Sequence, residues 1–461
     1  MAHGHHNVPV NTEGKTGVRK GATFIIGGLT SGHGVFHWFT QSLIVILPEI
    51  RETFGLSNFQ VGGINSAREV ASGLVSLPGG VVTDLLRKYW GLVLAVCMAT
   101  FGLGWLIMGF APIYPILLVG MAVVAMASSI WHLPAMSALS HHFSHHRGTA
   151  LSFHGVGGNI GDVAAPVVTA ALLITFAWQD IIKVYAIIPL LLCFLVFWAF
   201  RDIGRGAADD TQSRPNLNSQ LEQTKRVLQI PKLWLITLVA GLRGMAFICF
   251  LTILPLYFTD ELGFGFMNRG SHIALLTLVG ILFTPIMGYL SDRYGRKLVL
   301  VPGIIFLCVI TLLLVPFGYG VPLIVLLILL GTFLFSDQPI LTATALDIVG
   351  QGVAATTLGV LSFSRFILSA ASPLIGGLLY DANTDYPFYY IAGLFAAGAI
   401  ILMFMKFPPS AVASHHDDHG HDDHGHDDQG HDDQGHDDQG HDDHGHGDHG
   451  HGDHGHGDHG H

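Results

Sequence analysis

Twelve apolar runs of about twenty residues or more dominate the chain. They lie near 22–47, 59–82, 90–110, 113–138, 149–176, 181–200, 232–258, 270–290, 297–318, 322–345, 354–380 and 386–407. A helix of about twenty apolar residues spans the hydrocarbon layer of a bilayer, so each run reads as a transmembrane helix. The expected fold is an all-α membrane protein of twelve transmembrane helices. Composition agrees: half of the 461 residues are hydrophobic and 12% are charged, against about a quarter charged in soluble domains.

The gaps between most runs are short, but 201–231 is polar and rich in Asp, Ser, Gln, Asn and Arg. The expected organisation is therefore a His-containing N-terminus (1–21), a six-helix bundle (22–200), a linker (201–231), a second six-helix bundle (232–407) and a tail (408–461). The first apolar run is too long for a signal-peptide core and lacks a clear cleavage site, so it reads as a retained helix. The net charge of −11 is misleading, because the tail holds 15 Asp and no Lys or Arg; the other 407 residues carry +4. Cys97, Cys193, Cys249 and Cys308 sit in apolar runs without CxxC spacing and read as packing residues.

Lys and Arg placement sets an expected orientation. With the N-terminus cytoplasmic, sixteen of the 22 fall on the cytoplasmic side. Arg51, Lys183 and Arg269 fall in outer loops, and Arg68, Arg243 and Arg365 lie within helices. Both termini are then cytoplasmic.

The two halves echo each other. Gly288, Asp292, Arg293, Gly295, Arg296 and Lys297 punctuate the loop GYLSDRYGRK. The earlier GVVTDLLRK keeps Gly80, Asp84 and the basic end but loses the middle Arg and Gly. Asp84 and Asp292 are 208 residues apart, and Pro166 and Pro373 are 207 apart. Matching offsets at two places indicate a duplicated six-helix unit.

These residues carry a resemblance. GYLSDRYGRK is similar to the loop signature of the major facilitator superfamily, over roughly residues 20–407. The stretch SALSHHFSHHRGTALSFHGVGGNIGD (137–162) resembles the fosmidomycin-resistance type of exporter in that superfamily. The resemblance implies two six-helix bundles rocking about a central cavity, with proton-coupled transport. The first loop copy departs from the signature, which leaves open how the N-terminal half is latched.

Charges at membrane depth are costly, about 2.5–3.5 kcal/mol each on insertion scales, and so mark function or fixed ion pairs. Arg68, Glu69, Asp162, Arg243, Asp337 and Arg365 form a balanced set across both halves. Asp162 and Glu69 are the expected proton carriers, while the three arginines can hold an anionic or phosphonate-like group. The alternative is salt bridges that only hold helices together. Glycine-lined helix 5 places His154 and Asn159 beside Asp162. His33 and His37, four apart in helix 1, share a face; they can bind metal or only hydrogen-bond in a cavity. His132 precedes Pro134 in helix 4, and His154 lies about two turns before Asp162; such imidazoles suit a proton relay as well as a ligand set, while His272 reads as structural. His141, His142, His145 and His146 form an aqueous turn that can relay metal or simply be soluble.

The tail repeats His, Asp and Gly with a period of five, with 17 His and no apolar core. His415, His416, His419, His421, His424 and His426 open this expected metal-binding, disordered segment, whose ligand mixture suits Zn, Ni, Co or Cu. No other cofactor is required.

The leading expectation is a secondary transporter in a bacterial-type cytoplasmic membrane, exporting a small organic or antibiotic-like molecule against protons, as a monomer. A transition-metal exporter fed by the tail, or a metal-responsive sensor that transports nothing, are the alternatives. No phosphate-cradling GxxxxGKS run and no basic aromatic surface are visible, so neither an enzyme, an ATP-driven pump nor a nucleic-acid binder is expected.

Overall fold

A computed structural model describes residues 18–204, 228–349 and 354–407, together with Glu222, Lys225 and Arg226. Most of the expected N-terminus and linker, and the whole tail with His415, His416, His419, His421, His424 and His426, lie outside the described residues. The helices are α1 (Ala22–Phe54), α2 (Asn58–Leu85), α3 (Trp90–Gly109), α4 (Tyr114–His142), α5 (Arg147–Leu173), α6 (Trp178–Phe200), α7 (Pro231–Asp260), α8 (Phe266–Tyr294), α9 (Arg296–Phe317), α10a (Gly320–Leu334), α10b (Asp337–Val349), α11a (Ala354–Ala370), α11b (Ser372–Ala382) and α12 (Tyr386–Phe404). No strand occurs among the described residues.

Taking α10 and α11 each as one span, ten helices are long and apolar enough to cross a membrane. The first two have the length, 33 and 28 residues, but carry polar stripes that face inward. On α2, Asn65, Glu69, Ser72 and Ser76 recur at helical spacing along one face. On the outside, Ile187, Leu191, Phe194 and Trp198 of α6 are each at least half exposed or nearly so. Such an apolar stripe is stable only against lipid or another apolar partner.

Local signals set the helix ends. Gly55 takes φ +58 beyond α1, and the amides of Gly55 and Leu56 donate to the carbonyls of Glu52 and Arg51 at 3.3 and 2.9 Å. Glycine adopts that left-handed conformation without steric cost. Proline opens the first turn of α4, α7, α11b and α12, where its missing N–H would have had no partner.

Three features differ from the sequence expectation. The first helix runs past Pro48 to Phe54 instead of ending near 47, so Glu49 and Arg51 ride on a helix. Arg269, expected in an outer loop, lies in the first turns of α8 and is only 1% exposed. The tenth helix breaks at Phe335-Ser336. A broken backbone at membrane depth needs replacement partners: the Arg243 guanidinium donates to the Leu334 carbonyl, and the Asp337 carboxylate accepts from the Gln338 amide at 2.7 Å.

Two seams join the first six helices to the last six: α2 lies against α11a and α11b, and α5 against α8. At the end bearing the α1–α2 and α7–α8 turns these seams are closed by polar contacts. Arg51 pairs with Asp260 at 2.5 Å, and Arg269 with Glu49 at 2.5 Å. Asn58 donates to Asp381 at 2.8 Å. Close approach there depends on Gly377, where a Cβ would stand 2.2 Å from the Asn58 carbonyl oxygen.

Removing one partner of a buried ion pair strands the other, at a cost of about 3–5 kcal/mol. Arg269→Met should therefore lower thermal stability markedly, and Glu49→Gln/Arg269→Met should lose less than the single variant. Melting curves of the purified variants in detergent check this.

Candidate functional site

Between the two helix groups lies a cavity of about 820 Å³. It reaches Thr83 and Ser137, near the α2–α3 and α4–α5 turns, at the end opposite the closed seam. Its two walls differ chemically. From the first six helices come His37, Thr40, Gln41, Arg68, Glu69, Ser72, Ser76, Ser128, Ser129, His132 and Asp162. From the last six come Phe247, Ile248, Leu251, Phe335, Leu358 and Phe366, with only Ser362 and Arg365 polar.

Residues of α1, α2, α4 and α5 make the polar wall, and α1 and α5 lie in close contact behind it. A Cβ at Gly157 would stand 2.0 Å from the Thr30 carbonyl oxygen, so only glycine permits the observed approach. Three polar links then cross the seam. His33 Nδ1 donates to the His154 carbonyl at 2.7 Å, His37 Nδ1 meets Asp162 Oδ1 at 2.9 Å, and the Ser42 and Thr169 hydroxyls bond at 2.8 Å. The close approach at the helix 5 glycines thus brings Asp162 within hydrogen-bond distance of His37.

Of the residues singled out in the sequence, His37, Arg68, Glu69, Asp162 and Arg365 line the cavity together. Glu69 is 4% exposed and sits in the fields of both Arg68 and Arg365. His154 is buried behind this surface, its ring stacked on His33 at 4.1 Å between centroids. Asn159 is exposed and does not line the cavity.

Arg243 and Asp337 are not cavity residues. Arg243 Nε donates to Asp337 Oδ1 at 2.6 Å, both side chains are almost fully buried, and the guanidinium lies 4.4 Å behind the Phe247 ring. Their geometry is that of a brace across the α10 break.

The loop of the signature motif ties elements within the last six helices. Gly295 takes φ +99; Arg296 pairs with Asp292 and, at 3.1 Å, with Asp347 of α10b. Lys297 donates to the Met403 and Met405 carbonyls at 2.6 and 2.9 Å, closing the end of α12. Arg293 donates to the Tyr289 hydroxyl at 3.0 Å, and a side chain at Gly288 would meet nothing. Gly80 and Asp84 lie in α2, but their surroundings fall outside the described residues.

Sequence reasoning missed the closed end, because Glu49, Arg51, Asp260 and Arg269 sit near span ends where charge is ordinary. It read His132 as a relay or ligand candidate without placing it at the cavity surface, where it lies. The available signal was the cluster Ser128, Ser129 and His132 within little more than one turn of an apolar helix; His132 Nδ1 donates to the Ser128 carbonyl at 2.6 Å.

The family model described as Major Facilitator Superfamily matches residues 29–373 and again 270–424. The chain belongs to the Major Facilitator Superfamily. It is 26% identical over 296 residues to the fosmidomycin resistance protein of Escherichia coli K12, covering 63% of this chain and 70% of that protein. It is 24% identical over 386 residues to a probable sulfoacetate transporter of Cupriavidus necator, covering 79% and 89%. It is 22% identical over 395 residues to a glycerol-3-phosphate transporter of Bacillus subtilis, covering 77% and 85%. Among solved structures, a D-xylose–proton symporter superposes with a TM-score of 0.69 at 14% identity, covering 84% of this chain and 98% of that one. A bacterial homologue of the human lysosomal transporter Spinster, inward-facing and unoccupied, gives 0.67 at 14% identity, covering 85% and 96%. As a major facilitator protein, the chain is an integral membrane transporter with the twelve-span fold of that superfamily.

The brace makes a prediction distinct from cavity chemistry. Asp337→Leu should destabilise the protein by about 3–5 kcal/mol, whereas Arg243→Met/Asp337→Leu should recover part of that loss. Thermal unfolding of both variants checks the sign.

Proposed function

We propose that this major facilitator protein exports a small organic anion in exchange for protons, by alternating access of one central cavity. The observation that carries the reading is the cavity itself. Arg68 and Arg365, one from each helix group, share it with the Glu69 carboxylate, opposite a wall of Phe247, Ile248, Leu251 and Phe366. Two guanidiniums can clamp a carboxylate, sulfonate or phosphonate, and the apolar wall accepts the rest of an organic solute. Sulfoacetate and glycerol 3-phosphate, named for two of the relatives, are anions of this kind.

Glu69 can hold Arg68 and Arg365 when no anion is present and release them on binding one. The His37–Asp162 pair, reached from the same cavity, can take up and give back a proton during the cycle. The two duplicated bundles would rock so that the Arg51–Asp260 and Glu49–Arg269 contacts part when the opposite end closes. With both termini cytoplasmic in a bacterial inner membrane, the open end described above is the inner one. The loop of Asp292, Arg293, Arg296 and Lys297 would then keep α8, α9, α10b and α12 moving as one body. A monomer contains the whole cavity. The metal-export and sensor alternatives rest on the tail, which lies outside the described residues.

Proteoliposome flux tests the proposal, with sulfoacetate, glycerol 3-phosphate and fosmidomycin as probes. Arg365→Gln and Arg68→Gln should each lower kcat/KM at least about tenfold, equivalent to about 1.4 kcal/mol of lost interaction. Asp162→Asn should keep counterflow but lose acceleration by an imposed pH gradient. Full gradient-driven transport by Asp162→Asn would remove that carboxylate from coupling, and wild-type flux by both arginine variants would remove the anion clamp.

A further inference from the structure

The polar wall of the cavity contains more imidazole than anion binding needs. One ring nitrogen from each of His33, His37 and His132 lies within 4.8 Å of the other two. The rings come from α1 and α4, with centroids 4.4 Å apart for His33 and His37 and 4.9 Å for His33 and His132.

Their tautomers follow from their partners. Nδ1 of His33 faces the His154 carbonyl, Nδ1 of His132 the Ser128 carbonyl, and Nδ1 of His37 the Asp162 carboxylate. Each partner is an oxygen acceptor, so each Nδ1 is the protonated, donating nitrogen. In the neutral ring, Nε2 is then left with its lone pair on all three residues. Three such imidazoles cannot hydrogen-bond to one another, because each offers only an acceptor. A cation that accepts three nitrogen lone pairs resolves that conflict. Holding a histidine through Nδ1–H by a carboxylate or carbonyl is the usual second layer around metal-ligating imidazole, fixing the ring and raising its basicity.

We propose that His33, His37 and His132 form a binding site for a divalent transition-metal ion of the Zn²⁺, Co²⁺ or Ni²⁺ class, with Asp162 orienting His37 and one coordination position open to the cavity. Three nitrogen ligands with an open fourth position are a standard arrangement for these ions. Tetrahedral bonds of about 2.0–2.1 Å place ligand nitrogens about 3.3 Å apart, so from separations within 4.8 Å the rings would draw in by up to about 1.5 Å. The hard cations Mg²⁺ and Ca²⁺ prefer oxygen and are poor matches for such a set. His37 and His132 reach the cavity surface, which gives the ion both an entry path and an exchangeable ligand.

Trp131 provides a reporter that the His-rich tail does not share, since the tail contains no Trp. Its ring lies 5.6 Å from His132 and 6.3 Å from His33. Full-length, metal-stripped protein in detergent is titrated with CoCl₂ while tryptophan emission is followed, with MgCl₂ as the control. The expected result is a saturable, EDTA-reversible quench that Mg²⁺ does not produce and Trp131→Phe largely removes. His33→Gln should abolish it, and Asp162→Asn should move its midpoint about 10–100-fold to higher Co²⁺, the loss typical when an orienting partner is removed. Absence of Trp131 quenching in wild-type protein overturns the proposal. So does an unaltered midpoint in both His33→Gln and Asp162→Asn; if His33→Gln does not fold, the wild-type and Asp162→Asn titrations decide. The readout involves no flux, so the anion-export reading stands or falls separately in proteoliposomes.

Discussion

Where α5 lies against α1, the missing side chain at Gly157 lets two backbones come within van der Waals reach, and the functional wall of the cavity depends on that approach. Polar side chains at membrane depth must find partners inside the protein or in a water-filled cavity. The close seam supplies them in order: a backbone carbonyl for His33, a carboxylate for His37 and a hydroxyl for Ser42. A bulkier residue at 157 would push the helices apart and leave the His33 and His37 rings without these partners. Packing and chemistry are therefore one constraint here.

The charges within and around the membrane divide by environment into three kinds. Arg243 and Asp337 are sealed in and answer to each other and to the broken end of α10a; such a pair specifies a conformation rather than adding much stability. Arg51–Asp260 and Glu49–Arg269 cross between the helix groups at the closed end, with the carboxylates 27% and 16% exposed. Partial exposure suits the parting that the proposed cycle asks of these contacts, since water could then solvate the carboxylates. Arg68, Glu69 and Arg365 face the cavity and form no ion pair among the described residues, close enough to act on one another yet open to a solute. The same residue types thus brace, latch or bind according to burial.

The two walls of the cavity place the polar positions almost wholly on the first six helices. The last six contribute rings and aliphatic side chains plus Ser362 and one guanidinium. A solute held between them touches both bodies that alternating access must move. In the proposed cycle, Arg365 would make the last six helices sensitive to the anion that Arg68 meets from the other side.

Length and hydrophobicity made most spans legible, ten among the described residues, because a run of about twenty apolar residues fits the hydrocarbon layer of a bilayer; α1 and α2 were legible by length despite their polar stripes. The charges at membrane depth were equally plain, since each stands out against an apolar background, and the loop GYLSDRYGRK carried the family resemblance. Which of those charges meet was not legible. Arg243 pairs with Asp337 across 94 residues, Arg269 with Glu49 across 220, and His37 with Asp162 across 125. Nor was the break in α10, which hydropathy reads straight through because Phe335 and Ser336 are unremarkable in an apolar run. Periodicity reports which face of a helix is polar, but not which other helix that face will meet. That pairing is decided only when the helices pack, by close approach at small residues and by the requirement that every buried polar group find a partner.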